Sequence, residues 1–469
     1  MGRTLIWSMI ATMLATYGCA DETQFDFVGD GANPFLSNYE KDTGYVNLKG
    51  VEVEVTLEAA LELEYTSQMR RGPAELAQFA VTYLRKRDNL FLEILGEDAT
   101  AIEQVQWQVD GEWLSASEAS DVPLTSIKGF RLAKVNAVIL GNAISTVAAG
   151  TKYEAEVPVR PFKIMAEAKQ SCADSNSHID LSQSIYWYLW NPTKFGCEVD
   201  TQTMTVTIEK VLPQNPETYP EYDELWADNR LDVVILWAKL DEGDVAGDYN
   251  WDNVKKFTNW LLEAGFEEMA DAPLGTRFVR KSGEKQVVVD MYGPDLFHSV
   301  ADYSRLHNWQ KAVTEHEVVM YNGHSVLGSG MAFERVAYPD HYQIFNIASC
   351  LSYEYYVEPI LEGKTGWENV DVISNVYPTY YHENLPLVGA LLDKLIDGFE
   401  NGGKVSWQEI MAAVSQRLGH SRFGVSGARG NCFTPGGSAC TNDPFGGDED
   451  PEDPFAEDPA GEELPGGVE

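Results

Sequence analysis

The hydrophobic period of this chain changes across one proline-bearing stretch, residues 213–222 (PQNPETYPEY). Ahead of it, segments such as VEVEVTLEAALELEY (residues 51–65), VQWQVDGEW, SIKGFRLAKVNAVIL and KYEAEVPVRPF alternate apolar and polar residues. Alternation is the pattern of strands with one wet face. Behind it, residues 231–240 (LDVVILWAKL) are almost continuously apolar, which a strand tolerates only where both faces of its sheet are covered. The spacing predicts a helix over residues 250–266, a strand over 284–293, a helix over 295–316, and strands running to His324 and Cys350. A helix over 353–361, a strand over 370–378 and helices over 385–399 and 405–419 follow. Strands alternating with helices argue for a parallel sheet covered on both sides.

A chain of 469 residues exceeds one ordinary core. The fold class expected is therefore multi-domain α+β, an N-terminal β-sandwich-like domain followed by an α/β domain with a mainly parallel sheet. The units are a signal peptide at 1–20, an acidic tether at 21–45 and a β-rich domain at 46–165 carrying one helix over 73–87. A disulfide-closed aromatic segment and linker at 166–228 leads to the α/β domain at 229–428. Residues 429–469 form a disulfide loop and an acidic tail. Eleven acids and no Lys or Arg occupy the last 29 residues, a composition unable to bury a core. The formal net charge of −39 excludes nucleic acid as a partner, because phosphate binding runs on Lys and Arg.

Arg3, the apolar run 5–14 and the small residues after it read as an export signal, too short to remain as a membrane-spanning helix. Thr16-Tyr17-Gly18-Cys19 resembles a bacterial lipoprotein cleavage box, which implies lipidation of Cys19, a membrane partner through that anchor, and an outer-membrane location in the cell envelope. Ordinary cleavage after Ala20 is the other reading. Exported chains pair their cysteines. Cys172 with Cys197, and Cys432 with Cys440, flank compact segments suited to closure, which leaves Cys350 as the unpaired thiol.

Cys350 and His324 both end apolar, β-branched runs, EVVMYNGHS (317–325) and HYQIFNIASC (341–350). Ligands of open α/β sheets bind beyond the carboxyl ends of the strands, so two neighbouring strands of this kind would bring an imidazole and a thiol to one rim. The strand order and these two ends, NGHS and ASC, resemble the caspase, legumain and gingipain superfamily of cysteine peptidases over residues 230–425. The resemblance implies that the third core strand carries the catalytic His and the fourth the nucleophilic Cys. It also implies an oxyanion site of backbone N–H groups at the two strand ends, Cys350 included. Gly323 would let the backbone turn beside the site. Ser325 stands where the family has Gly and would place its hydroxymethyl group near the substrate. Glu354, Asp371 and Glu383 are the acids available to a primary specificity pocket.

The function expected is an exported, lipid-anchored cysteine endopeptidase acting on a peptide or protein through a Cys–His dyad. The alternatives are a non-catalytic surface lipoprotein keeping this fold as a binding scaffold, and a thiol acyl transferase or transpeptidase. By itself Cys350 also fits a small buried hydrophobe, and His324 a hydrogen-bonded structural histidine. His298, His307, His316, His341, His382 and His420 read as helix or loop residues. No cofactor and no metal site is expected from Cys/His spacing. Asp241, Asp244, Asp248 and Asp252 crowd one loop, which as an oxygen-rich segment would suit Ca²⁺, although it misses the EF-hand spacing.

Overall fold

The structure, a computed structural model, describes residues 45–92, 104–141, 147–164, 171–175, 189–212, 217–241, 243–326 and 331–438. The signal peptide, Cys19, the tether, Cys440 and the acidic tail lie outside the described residues. The chain is mixed α/β with two multi-stranded sheets.

The first sheet contains β1 (Gly50–Ala60), β2 (Leu90–Leu92), β3 (Val105–Val109), β4 (Glu112–Ser115), β5 (Ile127–Leu140), β6 (Lys152–Pro158) and β7 (Thr201–Val211). It is a single antiparallel layer in the order β4-β3-β5-β1-β7-β6, with β2 added to β5. A sandwich would require two facing layers; here the helix α1 (Ser67–Asp88) takes the place of the second, packing along β6 and β2. The segment assigned from sequence to the linker region supplies β7, paired on both sides. The expected disulfide between Cys172 and Cys197 is present. Cys432 is also disulfide-bonded.

The second sheet holds β8 (Arg230–Trp237), β9 (Glu267–Met269), β10 (Thr276–Ser282), β11 (Lys285–Tyr292), β12 (Val318–Asn322), β13 (Gln343–Ala348), β14 (Val370–Asn375) and β15 (Phe423–Ser426). Their order is β15-β14-β13-β12-β8-β11-β10-β9. The five strands from β14 to β11 are parallel, and antiparallel strands close both ends. Alternate side chains divide the sheet into two buried faces. Leu231, Val233, Ile235 and Trp237 meet α2 (Asn250–Glu263), α5 (Tyr381–Glu400) and α6 (Trp407–Leu418). Val234, Leu236, Val319 and Tyr321 face a cluster that includes α3 (Leu306–Glu315) and α4 (Ser352–Lys364). That cluster runs on without a break into the first sheet, so the two sheets share one core. The start of the described chain crosses between them: Val46 bridges Val425 of β15, and the Asn47 amide donates to the Phe423 carbonyl at 2.7 Å.

The helix expected over 295–316 is confined to α3. Asp302 caps a short turn by accepting from the Ser304 N–H at 2.9 Å, so the chain enters the helix only after that cap.

Among the described residues burial holds six carboxyls above their ordinary range, Asp88 and Asp232 among them, and four of these strongly. Desolvation raises Glu221, Glu317 and Glu354 from 4.5 to about 7 and Asp371 from 3.8 to about 6. Each keeps a proton in the folded state that it loses when unfolded. The stability they contribute is therefore complete below their unfolded values and is lost as pH rises through 6 to 7. The melting temperature should be higher at pH 5.5 than at pH 8 by about 5 °C. Glu317→Gln, which can still accept from the Asp232 N–H, should flatten part of that slope; a slope of opposite sign would refute this electrostatic account.

Candidate functional site

Two parallel strands meet at the site. β12 and β13 pair in the register Val318↔Ile344 through Asn322↔Ala348, and the Gly323 N–H extends the ladder to the Ala348 carbonyl at 3.3 Å. His324 and Cys350 each follow the last pair by two residues. The register thus brings the two residues just past the carboxyl ends of adjacent strands.

Past β12 the backbone is tied from below. The buried Tyr321 hydroxyl donates to the His324 carbonyl at 2.7 Å, and the buried Tyr356 hydroxyl of α4 donates to the Ser325 carbonyl. Val326 then turns in the left-handed region, φ 48°, which is costly for a β-branched residue and persists only where surrounding contacts fix it. The sharp turn therefore belongs to Val326 and not to Gly323. Gly323 is required for space instead: a Cβ there would lie 2.5 Å from the Tyr321 hydroxyl and 2.7 Å from the Ala238 Cβ. Ser325 is buried under the rim, its carbonyl held by Tyr356.

The imidazole of His324 is exposed, and its Nε2 lies 2.7 Å from the Leu240 carbonyl in the loop after β8. A carbonyl only accepts, so Nε2 carries the proton and Nδ1 is the basic nitrogen of the neutral ring. Cys350 is half-buried and is the free cysteine among the described residues. Leu351, immediately after it, is left-handed (φ 55°) and opens α4, so the thiol sits on a tight strand-to-helix turn at a helix N-terminus. The turn is braced: the Leu351 N–H donates to the Tyr377 carbonyl at 3.1 Å, and the Asn375 amide and the Thr379 hydroxyl both donate to the Ser349 carbonyl. The thiol itself donates to the Thr379 carbonyl at 3.8 Å.

Each reactive group is thus hydrogen-bonded to the loop on its outer side, His324 toward β8 and Cys350 toward β14. Burial pushes the Cys350 thiol up. The Thr379 contact and the Arg85 charge act against this, while Glu383 adds to it. The thiol form is thereby favoured at neutral pH.

The acids considered for a specificity pocket are otherwise engaged. Asp371 is fully buried near the amino end of β14 and accepts from Tyr342, Trp407 and Asn431. Glu354 is buried and paired with Arg85, and Glu383 caps α5 while bonding His420 at 2.9 Å. The loop aspartates bind their own backbone: Asp248 accepts from the Leu240, Asp241 and Asn250 N–H groups, Asp241 from Gly243, and Asp244 from Ala246. Among the described residues no group of three His, Cys, Asp or Glu side chains is gathered to hold a metal, and no helix is long and apolar enough to cross a membrane. His341 lies ahead of β13, at the far end from the thiol.

Sequence reasoning missed Arg85, Leu240, Thr379 and the two supporting tyrosines. Only Tyr321, an aromatic two residues before Gly323, carried a local signal.

No protein-family model matches the chain, and no curated protein or solved structure matches it either.

Gly323→Ala should cost about 2 kcal/mol of stability and displace the His324 carbonyl from Tyr321. Denaturant unfolding measures the loss; a change below about 0.5 kcal/mol would contradict the close approach described.

Proposed function

We propose that this protein is an exported, lipid-anchored cysteine endopeptidase of the caspase, legumain and gingipain kind. Cys350 is its nucleophile and His324 its acid–base group. The observation that carries the reading is the parallel register of β12 and β13, which sets a free thiol and an exposed imidazole at adjacent strand ends. The order of the parallel strands supports it: counted along the chain, β12 is the third and β13 the fourth, the positions the resemblance implies.

The chemistry follows from the residues present. A thiol attacks efficiently only as thiolate. The Cys350 proton passes to Nδ1 of His324, whose Nε2–H already faces Leu240; the resulting imidazolium is stabilised by that carbonyl. The thiolate adds to the scissile carbonyl carbon, forming the C–S bond. Backbone N–H groups at the strand ends, that of Cys350 among them, receive the negative oxygen. His324 then donates its proton to the departing amine nitrogen as the C–N bond breaks. Water enters, gives a proton back to the neutral ring and attacks the thioester, releasing a carboxylic acid and the thiol. An amine entering in place of water would make the same site a transpeptidase.

One observation favours the second reading, a binding scaffold without catalysis. Burial raises the Cys350 thiol, and its hydrogen is already committed to Thr379. The two readings separate on one experiment, alkylation of the intact protein by iodoacetamide at pH 7 with and without His324. Catalysis predicts rapid modification of Cys350 that slows about tenfold or more in His324→Ala. It also predicts peptide cleavage that is abolished in Cys350→Ala. Slow modification indifferent to His324, with no peptide cleaved, would leave the scaffold. Product analysis with an added amine distinguishes hydrolysis from transfer.

A further inference from the structure

Contacts from the first half of the chain reach the thiol's surroundings, and two of them bear on its charge and its turn. Arg85, in the last turn of α1, places its Nη1 3.4 Å from a carboxylate oxygen of Glu354, and both side chains are buried, 10% and 1% exposed. Glu354 lies in the first turn of α4, the helix that Cys350 leads into. Four residues beyond Arg85, Asn89 accepts from the Tyr377 hydroxyl at 2.7 Å, and Phe91 meets the Tyr377 ring edge-on at 4.9 Å. The Tyr377 carbonyl in turn receives the N–H of Leu351, next to the thiol.

We propose that Arg85 is an electrostatic positioning residue for Cys350, so that the β-rich half of the chain completes the thiol site of the other half. The argument is one of charge in a poorly hydrated place. The groups that interact with Cys350 are Arg85 from α1, Glu383 from α5, Tyr321 from β12 and Tyr356 from α4, with Glu354 in the first turn of the helix that Cys350 leads into. Two of these are carboxyls. Glu354, held up to about 7 by burial, is ionised in the higher pH range where a thiol loses its proton. An ionised carboxylate near a half-buried sulfur opposes the thiolate. Arg85 is the cation buried among them. It neutralises Glu354 and leaves the helix N-terminus and His324 free to favour the anion. A buried cation at this range acts through low dielectric, where Coulomb energies are several-fold larger than in water.

The inference rests on Cys350 as the reactive thiol, and its test separates the two. The pH dependence of iodoacetamide alkylation of Cys350 is measured on the full chain for the wild type, Arg85→Met, Glu354→Gln and the double variant, each checked for folding by circular dichroism. Charge control predicts shifts of opposite sign. Arg85→Met moves the profile to higher pH and slows reaction at pH 7 by about three- to tenfold. Glu354→Gln moves it to lower pH and speeds reaction, and the double variant returns toward the wild type. Shifts in the same direction, or none, overturn the inference. A wild-type thiol whose reaction does not depend on His324 overturns the peptidase reading itself. Should Arg85→Met fail to fold, Glu354→Gln alone decides: a slower or unchanged reaction refutes the proposal.

Discussion

The pairing of β12 with β13 is the constraint on which the rest of the site depends. A parallel ladder advances in fixed steps, and each step alternates the faces of the sheet. A slip of one residue would exchange every buried side chain for its neighbour. Here Met320 and Ile344 must face one core while Tyr321 and Phe345 face the other. The same packing that fixes the register therefore fixes where the strands run out, and with it the adjacent strand ends that His324 and Cys350 follow. Their placement is a by-product of core formation and needs no loop to fold around a ligand.

Beyond the last paired residues, order is maintained by polar contacts reaching up from the interior. Tyr321 and Tyr356 are buried side chains whose hydroxyls hold the carbonyls of His324 and Ser325. Leu351 and Val326 accept left-handed backbone to complete the two turns. Strain of this sort, concentrated at one rim and over-determined by surrounding bonds, is where a folded chain departs from local preference for a reason. The thiol's hydrogen bond to Thr379 and the ring's to Leu240 hold each group toward the loop on its outer side.

The continuous apolar runs made the second sheet legible, because strands buried on both faces leave no other pattern. His324 and Cys350 were legible as strand-end residues for the same reason, standing where those runs stop. Other elements were not. The hairpin of β9 and β10 carries charged residues on an edge, Glu267, Glu268, Arg277 and Lys281 among them, so its alternation looks like a polar loop; the clue was Gly283, left-handed at φ 63° between β10 and β11. The four-residue β15 is too short to show a period, and it is held by Asn47 and Val46 from far upstream. Alternation alone could not say whether the first half formed two layers or one, since α1 covers a half-wet sheet as well as a second sheet would. Arg85 gave no sign of its contact with Glu354, because that partner lies 269 residues away.

The central claim is spatial, and the most direct measurement is a crystal structure of the protein with Cys350 acylated or alkylated by a peptide-derived electrophile. The account predicts the sulfur turned away from Thr379, with Nδ1 of His324 within roughly 4 Å of the sulfur or the departing group and Nε2 still on Leu240. A modified sulfur that remains against Thr379, with the imidazole beyond roughly 7 Å and no path between them, would contradict it.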